Sequence, residues 1–317
     1  MDETELPQEG ILSLKTYGVD PLGGLTPDNE IRPCRYCGGK TVRNGTRKNT
    51  RTVKHRFLCL ECKRTFTENA EYGKLSVKPQ VITLVLDLYF RGLSLRDISQ
   101  HLKEFYGMDV THVAVYKWIQ KYMKAINEYV GKQQPKNVSP KWKADEQMVK
   151  VGGKWLWDFN IIDPETRYLL ASNLTETRKT EDAVKTLRQA SNWTKTRPQE
   201  IVTDGAFAYG QAIRKAYPGW YRKNSKVLHS RYKTLRSRAK NNNDIERYHS
   251  TFREFDKVRR GFDRFKSGKA NVDNFRTYYN YIREHTELGT TPAEKAGIEL
   301  ELGKDKWMEL LKKSVNS

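Results

Sequence analysis

The chain has 317 residues, with 58 Lys and Arg against 38 Asp and Glu, a formal net charge of +20, a pI near 9.7 and a mean hydropathy of −0.81. That length holds one sizeable core and one or two small modules, and that charge implies a polyanionic partner. A membrane-spanning segment is excluded, because the longest apolar run, Val81 to Phe90, is too short to cross a bilayer and contains Asp87.

The charge is unevenly placed. Residues 1–30 form an acidic N-terminal extension with seven acids against one Lys, net −6. Its opening, MDETELPQEG, has neither the basic nor the apolar region of a signal peptide, so a cytoplasmic, nucleoid-associated protein is expected. Residues 31–75 carry 12 Lys or Arg against 3 acids, net +9, and residues 205–270 carry 18 against 5, net +13. Trp220, Tyr221, Tyr232, Phe252 and Phe262 are interleaved with the second set of bases. The two zones therefore read as two contacts with nucleic acid rather than as solvated faces.

Residues 31–73 contain all four cysteines, in two CxxC pairs, Cys34/Cys37 and Cys59/Cys62. Two such knuckles complete a tetrahedral thiolate shell, so a zinc ribbon holding one structural Zn²⁺ is expected. Disulfides do not suit a cytoplasmic protein, and a redox CxxC does not come as a matched pair. The 21 residues between the pairs read as a β-hairpin, Lys40 to Arg43 and Val53 to Leu58, around a basic tip from Asn44 to Thr52.

Residues 74–131 change to helical spacing. Pro79 to Arg91 is apolar at 81, 84, 85 and 88, Gly92 ends it, Ser94 caps Leu95 to Phe105, and Thr111 caps a third helix reaching about Val130. Three helices with a short turn resemble a helix-turn-helix whose third helix enters the major groove, with His112, Lys117, Gln120 and Lys121 facing double-stranded DNA. An ordinary helical bundle is the alternative that the pattern leaves open. Residues 132–140 are polar and bear prolines, so a linker and domain boundary is expected there.

Residues 141–285 read as an α/β domain. Trp142 to Val151, Lys154 to Asp163 and Arg167 to Leu174 alternate as an antiparallel meander, with turns at Gly152-Gly153 and Asp163-Pro164. A helix (Thr180 to Trp193), a strand (Glu200 to Thr203), a helix (Ala206 to Tyr217), a short strand (Lys226 to His229) and a helix from Asn243 follow. This is the order of a ribonuclease-H-like fold. Residues 286–317 are expected to form a C-terminal helical tail. The apolar spacing of Val272 to His285 and Thr291 to Leu302 serves either a dimer contact or closure of the core.

Three carboxylates stand where a metal-binding acid is useful: Asp145 and Asp204 on β-like runs, and Glu246 on the patterned helix. Two strand-borne acids and one helix-borne acid can share a pair of Mg²⁺ ions and attack a phosphodiester. Competing acids have other uses. Alternation puts Glu146 on the face opposite Asp145, Asp163 suits its turn, and Asp204 can also cap the next helix. On the last helix, Ile245, Tyr248, Phe252 and Phe255 form the packing face. Glu246, His249, Arg253, Lys257 and Arg260 form a second face that suits metal, reacting phosphate and flanking phosphates in order, and Asp244 points elsewhere. A salt bridge from Glu246 to Arg253, or a contact with Ser250, is the ordinary alternative.

The segments ADEQMVKVGGKWLWDFNIID, IVTDGAFAY and NNNDIERYHSTFREFDKVRRGF resemble the catalytic segments of DDE transposases from prokaryotic insertion sequences, nearest to insertion-sequence family six. The resemblance covers most of residues 141–267, and the ribbon with helix-turn-helix is similar to the end-binding region of some members. It implies that Asp145, Asp204 and Glu246 bind two Mg²⁺ or Mn²⁺ ions, that His249 contacts phosphate, and that Arg253, Lys257, Arg259 and Arg260 hold the backbone. The 41 residues between Asp204 and Glu246 exceed the family's usual spacing, and the excess is assigned to the basic stretch Lys226 to Lys240. The expected function is DNA cleavage and strand transfer by a homodimer or higher assembly on DNA. A non-catalytic DNA-binding regulator and a ribonuclease-H-like nuclease are the alternatives.

Overall fold

The computed structural model describes residues 33, 34, 36–49, 52–67, 77–204, 207–218, 227–231 and 242–315. The acidic extension, Trp220, Tyr221, Tyr232 and most of the stretch from Lys226 to Lys240 lie outside the described residues. The chain divides into two compact units, residues 1–81 with 101–109, and residues 82–100 with 110–317.

In the first unit, β1 (Thr41–Asn49), β2 (Thr52–Cys59) and β3 (Thr65–Thr67) pair in that order as an antiparallel sheet. The hairpin is longer than the sequence suggested. Asn49 pairs with Thr52, and the register shifts between Arg43 and Thr46, where Gly45 takes a φ of +76°. Residues 44–52 carry no apolar alternation, which is why the pattern hid their pairing. Phe66 of β3 stacks on Phe57 at 5.8 Å and meets the edge of Tyr36 at 6.2 Å.

Three helices follow: α1 (Pro79–Phe90), α2 (Leu95–Tyr106) and α3 (His112–Val130). Ser94 and Asp97 bond each other's backbone N–H at 3.2 Å in a capping box, and Thr111 accepts from the Ala114 N–H at 3.2 Å.

In the second unit the central sheet comprises β4 (Lys141–Val151), β5 (Lys154–Ile162), β6 (Leu169–Thr175), β7 (Glu200–Thr203) and β8 (Leu228–Arg231). Their order is β6-β5-β4-β7-β8, antiparallel among the first three and parallel from β4 to β7 and β8. That is the ribonuclease-H-like arrangement. Between the strands lie α4 (Thr180–Thr194) and α5 (Phe207–Ala216), which cover one face: Asn173 donates to Thr186 at 3.3 Å, and Phe159 meets Tyr209 at 6.3 Å. On the other face lie α6 (Asn243–Lys257) and α7 (Phe265–Thr277), whose Phe252 and Phe275 rings meet edge to face at 5.1 Å. A π-helical turn, Tyr278–Ile282, then α8 (Pro292–Lys295) and α9 (Lys306–Val315) complete the chain.

Two expected boundaries differ. The segment 132–140 is no boundary between compact units, because Lys136 and Asn137 both donate backbone N–H to Ala296 O at 2.9 Å. The Tyr89 hydroxyl donates to Asn271 at 2.6 Å, and Asn127 donates to Asn274 at 2.8 Å, so α1 and α3 share the core of α7. Nor is 286–317 a tail: Trp307, Leu310 and Leu311 are buried, and Phe90 of α1 stacks on Trp307 at 5.6 Å. The apolar spacing at the C-terminus closes the core.

Candidate active site

Asp145 lies midway along β4, opposite Asn160 of β5. The parallel register of β4 with β7 matches Lys143 to Val202, which sets Asp204, just past the carboxyl end of β7, level with Asp145. Glu246 stands exposed in the first turn of α6. Asp204 and Glu246 each lie near enough to Asp145 to repel its charge. Burial above all, then repulsion by Glu146, Asp204 and Glu246, raises the Asp145 carboxyl to about 7. Carboxylates that repel one another fit a divalent cation, which relieves that repulsion. The oxygens still stand apart: among the described residues, the metal-type donors that gather within 4.8 Å of one another are the four cysteines.

The competing acids are occupied. Glu146 faces away and accepts from Arg178 Nε at 2.6 Å. Asp158 is fully buried, accepting from Ser172 at 2.9 Å and Gln147 at 3.2 Å. Asp163 accepts from Ser139 N and Oγ at 2.8 Å each and from Glu165 N at 2.9 Å, the turn role that its sequence implied. Asp244 is paired with Lys143 and with Arg167. Among the described residues Glu246 makes no ion pair, and Ser250 donates only to its backbone oxygen, at 3.0 Å.

Two of the expected phosphate contacts, His249 and Arg259, are corrected. His249 is 2% exposed, and burial, then Arg253, lowers its pKa to about 3, so the ring is neutral. Its Nδ1 lies 3.6 Å from Asp145, while Nε2 is buried without a hydrogen-bond partner. It backs the acid and does not face solvent. Arg259 turns inward over the Phe255 ring at 3.5 Å and the Tyr89 ring at 4.1 Å, and donates to Tyr89 O at 2.6 Å. Arg260, beyond the end of α6 at a φ of +57°, is exposed. Arg253 and Lys257 are exposed on α6, as expected.

On α3, Lys117 and Lys121 are exposed and His112 is half-buried, whereas Gln120 is half-buried with its Nε2 shut away from solvent and unpartnered. Sequence reasoning gave no role to Lys143, Arg167 or Arg178. Each pairs with an acid far along the chain, and spacing alone does not report such pairs.

The cysteines converge. Cys34 and Cys62 Sγ are 3.6 Å apart, Cys37 and Cys59 3.5 Å, and all four are free thiols. A tetrahedral zinc with Zn–S near 2.3 Å has S···S edges of about 3.8 Å, so the cluster fits that ion. The Tyr36 and Cys62 N–H groups point at Cys34 and Cys59 Sγ at 3.4 Å, as thiolate-stabilising knuckles do.

Residues 139–285, a little under half of the chain, match a family model described as a DDE domain. The transposase for insertion sequence-like element IS431mec of Staphylococcus aureus is 33% identical over 136 residues, which is 43% of this chain and 59% of that protein. The transposase for insertion sequence element IS257 in transposon Tn4003, also from Staphylococcus aureus, is 32% identical over 136 residues with the same shares, 43% and 59%. This chain thus spans 59% of the length of these curated relatives. Among solved structures, the magnesium complex of the HTLV-2 integrase catalytic core superposes with a TM-score of 0.34 at 12% identity, over 51% of this chain and 98% of that one, too loosely to add to the topology. By sequence, residues 139–285 are thus similar to a DDE domain and to the insertion-sequence transposases named above.

Proposed function

We propose that this protein is a DNA transposase, which binds the ends of an insertion sequence and catalyses metal-dependent cleavage and strand transfer. The observation that carries the reading is the parallel register that sets Asp145 level with Asp204, with Glu246 near enough to act on Asp145, in a segment similar to a DDE domain. Two Mg²⁺ or Mn²⁺ ions held by these acids would supply Lewis acidity toward the phosphodiester and acidify the attacking water or 3′-hydroxyl. The chain's own role is positioning. Strand pairing fixes Asp145, and His249 walls it off from behind. Lys143 and Arg167 grip Asp244, which fixes the first turn of α6 and with it Glu246. Arg253 and Lys257, further along the same helix, meet flanking phosphates, with Arg260 beyond its end.

Recognition of the ends is assigned to the cysteine ribbon, with one structural Zn²⁺, and to α3, where Lys117, Lys121 and His112 face DNA. Joining two ends needs two active sites held together, so the proposal includes a homodimer or higher assembly on DNA. Among the described residues no helix is long and apolar enough to cross a membrane, in keeping with a cytoplasmic protein that works on the nucleoid.

The test is strand transfer of a labelled element-end duplex into plasmid DNA with Mg²⁺ or Mn²⁺, comparing the natural chain with Asp145→Asn, Asp204→Asn and Glu246→Gln. Joining that each substitution abolishes, with DNA binding intact, is expected. Cleavage without joining would replace the reading by a nuclease, and binding alone by a regulator.

A further inference from the structure

The hairpin of β4 and β5 runs on well past the acids. From Asp145, β4 continues to Val151, six residues and about 20 Å further. It projects on the side where β4 and β7 end, the crevice in which open α/β sheets receive ligands. Beyond the reach of α4 and α5, the face that carries Glu146 also carries Met148 opposite Trp157 and Lys150 opposite Trp155. Trp155 is 56% exposed and Met148 45%. The Arg178 guanidinium lies 4.6 Å over the Trp157 ring while bonding Glu146, so the acid on this face is already neutralised. Lys150, directly opposite the exposed Trp155, makes no ion pair among the described residues, and Lys154 lies on the other face of the hairpin.

We propose that this face is a stacking platform for an unpaired base of the DNA strand beside the cut site. The inference rests on the transposase reading and adds to it a binding residue, Trp155, and a ligand class, single-stranded DNA at an opened end. Two neighbouring aromatic rings with a lysine beside them are the chemistry that holds single strands, because every base offers a ring face and every phosphate a charge. An acidic or apolar protein partner is disfavoured by Lys150, which stands directly opposite Trp155 on this face. The platform is also tied to the basic turn after α6. Phe262 N donates to Lys150 O at 2.9 Å, and Gly152 N donates to Phe262 O at 2.7 Å. Gly261, at a φ of +107°, permits this closeness, since a Cβ there would sit 3.0 Å from Lys150 O. A strand held by Arg260 is thereby delivered toward the rings.

The test uses the full chain without divalent metal and element-end duplexes, blunt or carrying three unpaired nucleotides, with 2-aminopurine at successive positions. We expect quenching confined to one or two adjacent unpaired positions. Trp155→Ala should abolish it and weaken binding of the opened end roughly five- to one-hundred-fold, with the blunt duplex unaffected. Trp155→Phe should keep both. Quenching that is absent, or that Trp155→Ala leaves intact while the DNA stays bound, overturns the inference and leaves the transposase reading standing. Self-association without DNA that Trp155→Ala abolishes would make the face a contact between copies instead. Failure of the natural chain to bind either DNA would overturn the reading and the inference together.

Discussion

At the scale of the residue, Asp244 and Glu246 share the first turn of α6 and differ in what they meet. Asp244 is nearly enclosed by Lys143 and Arg167, and removing one partner of a buried pair strands the others. Asp244→Asn should therefore cost about 3 kcal/mol in denaturant unfolding, whereas Glu246→Gln should leave stability within about 0.5 kcal/mol and remove activity. Equal losses from both would contradict the division of roles. Asp158 offers a pH test. Burial first of all holds its carboxyl at about 6, above the ordinary 3.8, against the hydrogen bonds from Ser172 and Gln147. The folded state then binds this proton more tightly than the unfolded chain does. The carboxyl costs stability above pH 6, and the cost fades as the pH falls toward 4. Asp158→Asn should gain on the natural chain by on the order of 2 kcal/mol between pH 4 and pH 7, and a flat difference would contradict it. Alternation and turn chemistry were enough to separate Asp145 from Glu146 and Asp163. The partners of Asp244 were not legible, because they come from β4 and from the turn before β6.

At the scale of the element, α6 shows where periodicity succeeds and where it stops. Ile245, Tyr248, Phe252 and Phe255 are buried, as their spacing predicts. His249 falls one turn after Ile245, on the edge of the same stripe, and is buried with it. Arg259 was misread because a guanidinium can pack its plane on aromatic rings, a use that charge alone does not announce. The exposed pair is the one to test. Arg253→Glu with Lys257→Glu should weaken DNA binding and lower the salt slope by about 2, one for each phosphate lost. An unchanged slope would mean that this track meets no phosphate. The four-cysteine cluster was legible from cysteine spacing alone, since two CxxC pairs suit one tetrahedral shell whatever lies between. Cys34→Ser with Cys59→Ser should take bound zinc from one ion per chain to none, and amide exchange should show β1 to β3 unfolded. Retained zinc would sink the assignment.

At the scale of the whole molecule, strand order was legible because each strand of the meander alternates and each helix has its own period. The packing of the ends was not. Phe90 stacks on Phe255 at 5.5 Å, on Tyr278 at 5.2 Å and on Trp307 at 5.6 Å, joining α1 to α6, to the π-helical turn and to α9. No local window holds those four rings together, so pattern reading left α1 in a separate domain and α9 in a tail. The fold spends this core on holding one sheet and one helix in register, and the account stands on what that register brings together. The most direct measurement is Mn²⁺ binding followed by electron paramagnetic resonance, on the natural chain and on Asp145→Asn, Asp204→Asn and Glu246→Gln. The account predicts Mn²⁺ bound by the natural chain and weakened at least ten-fold by each substitution, with folding intact; Mn²⁺ binding that all three variants retain unchanged would contradict it.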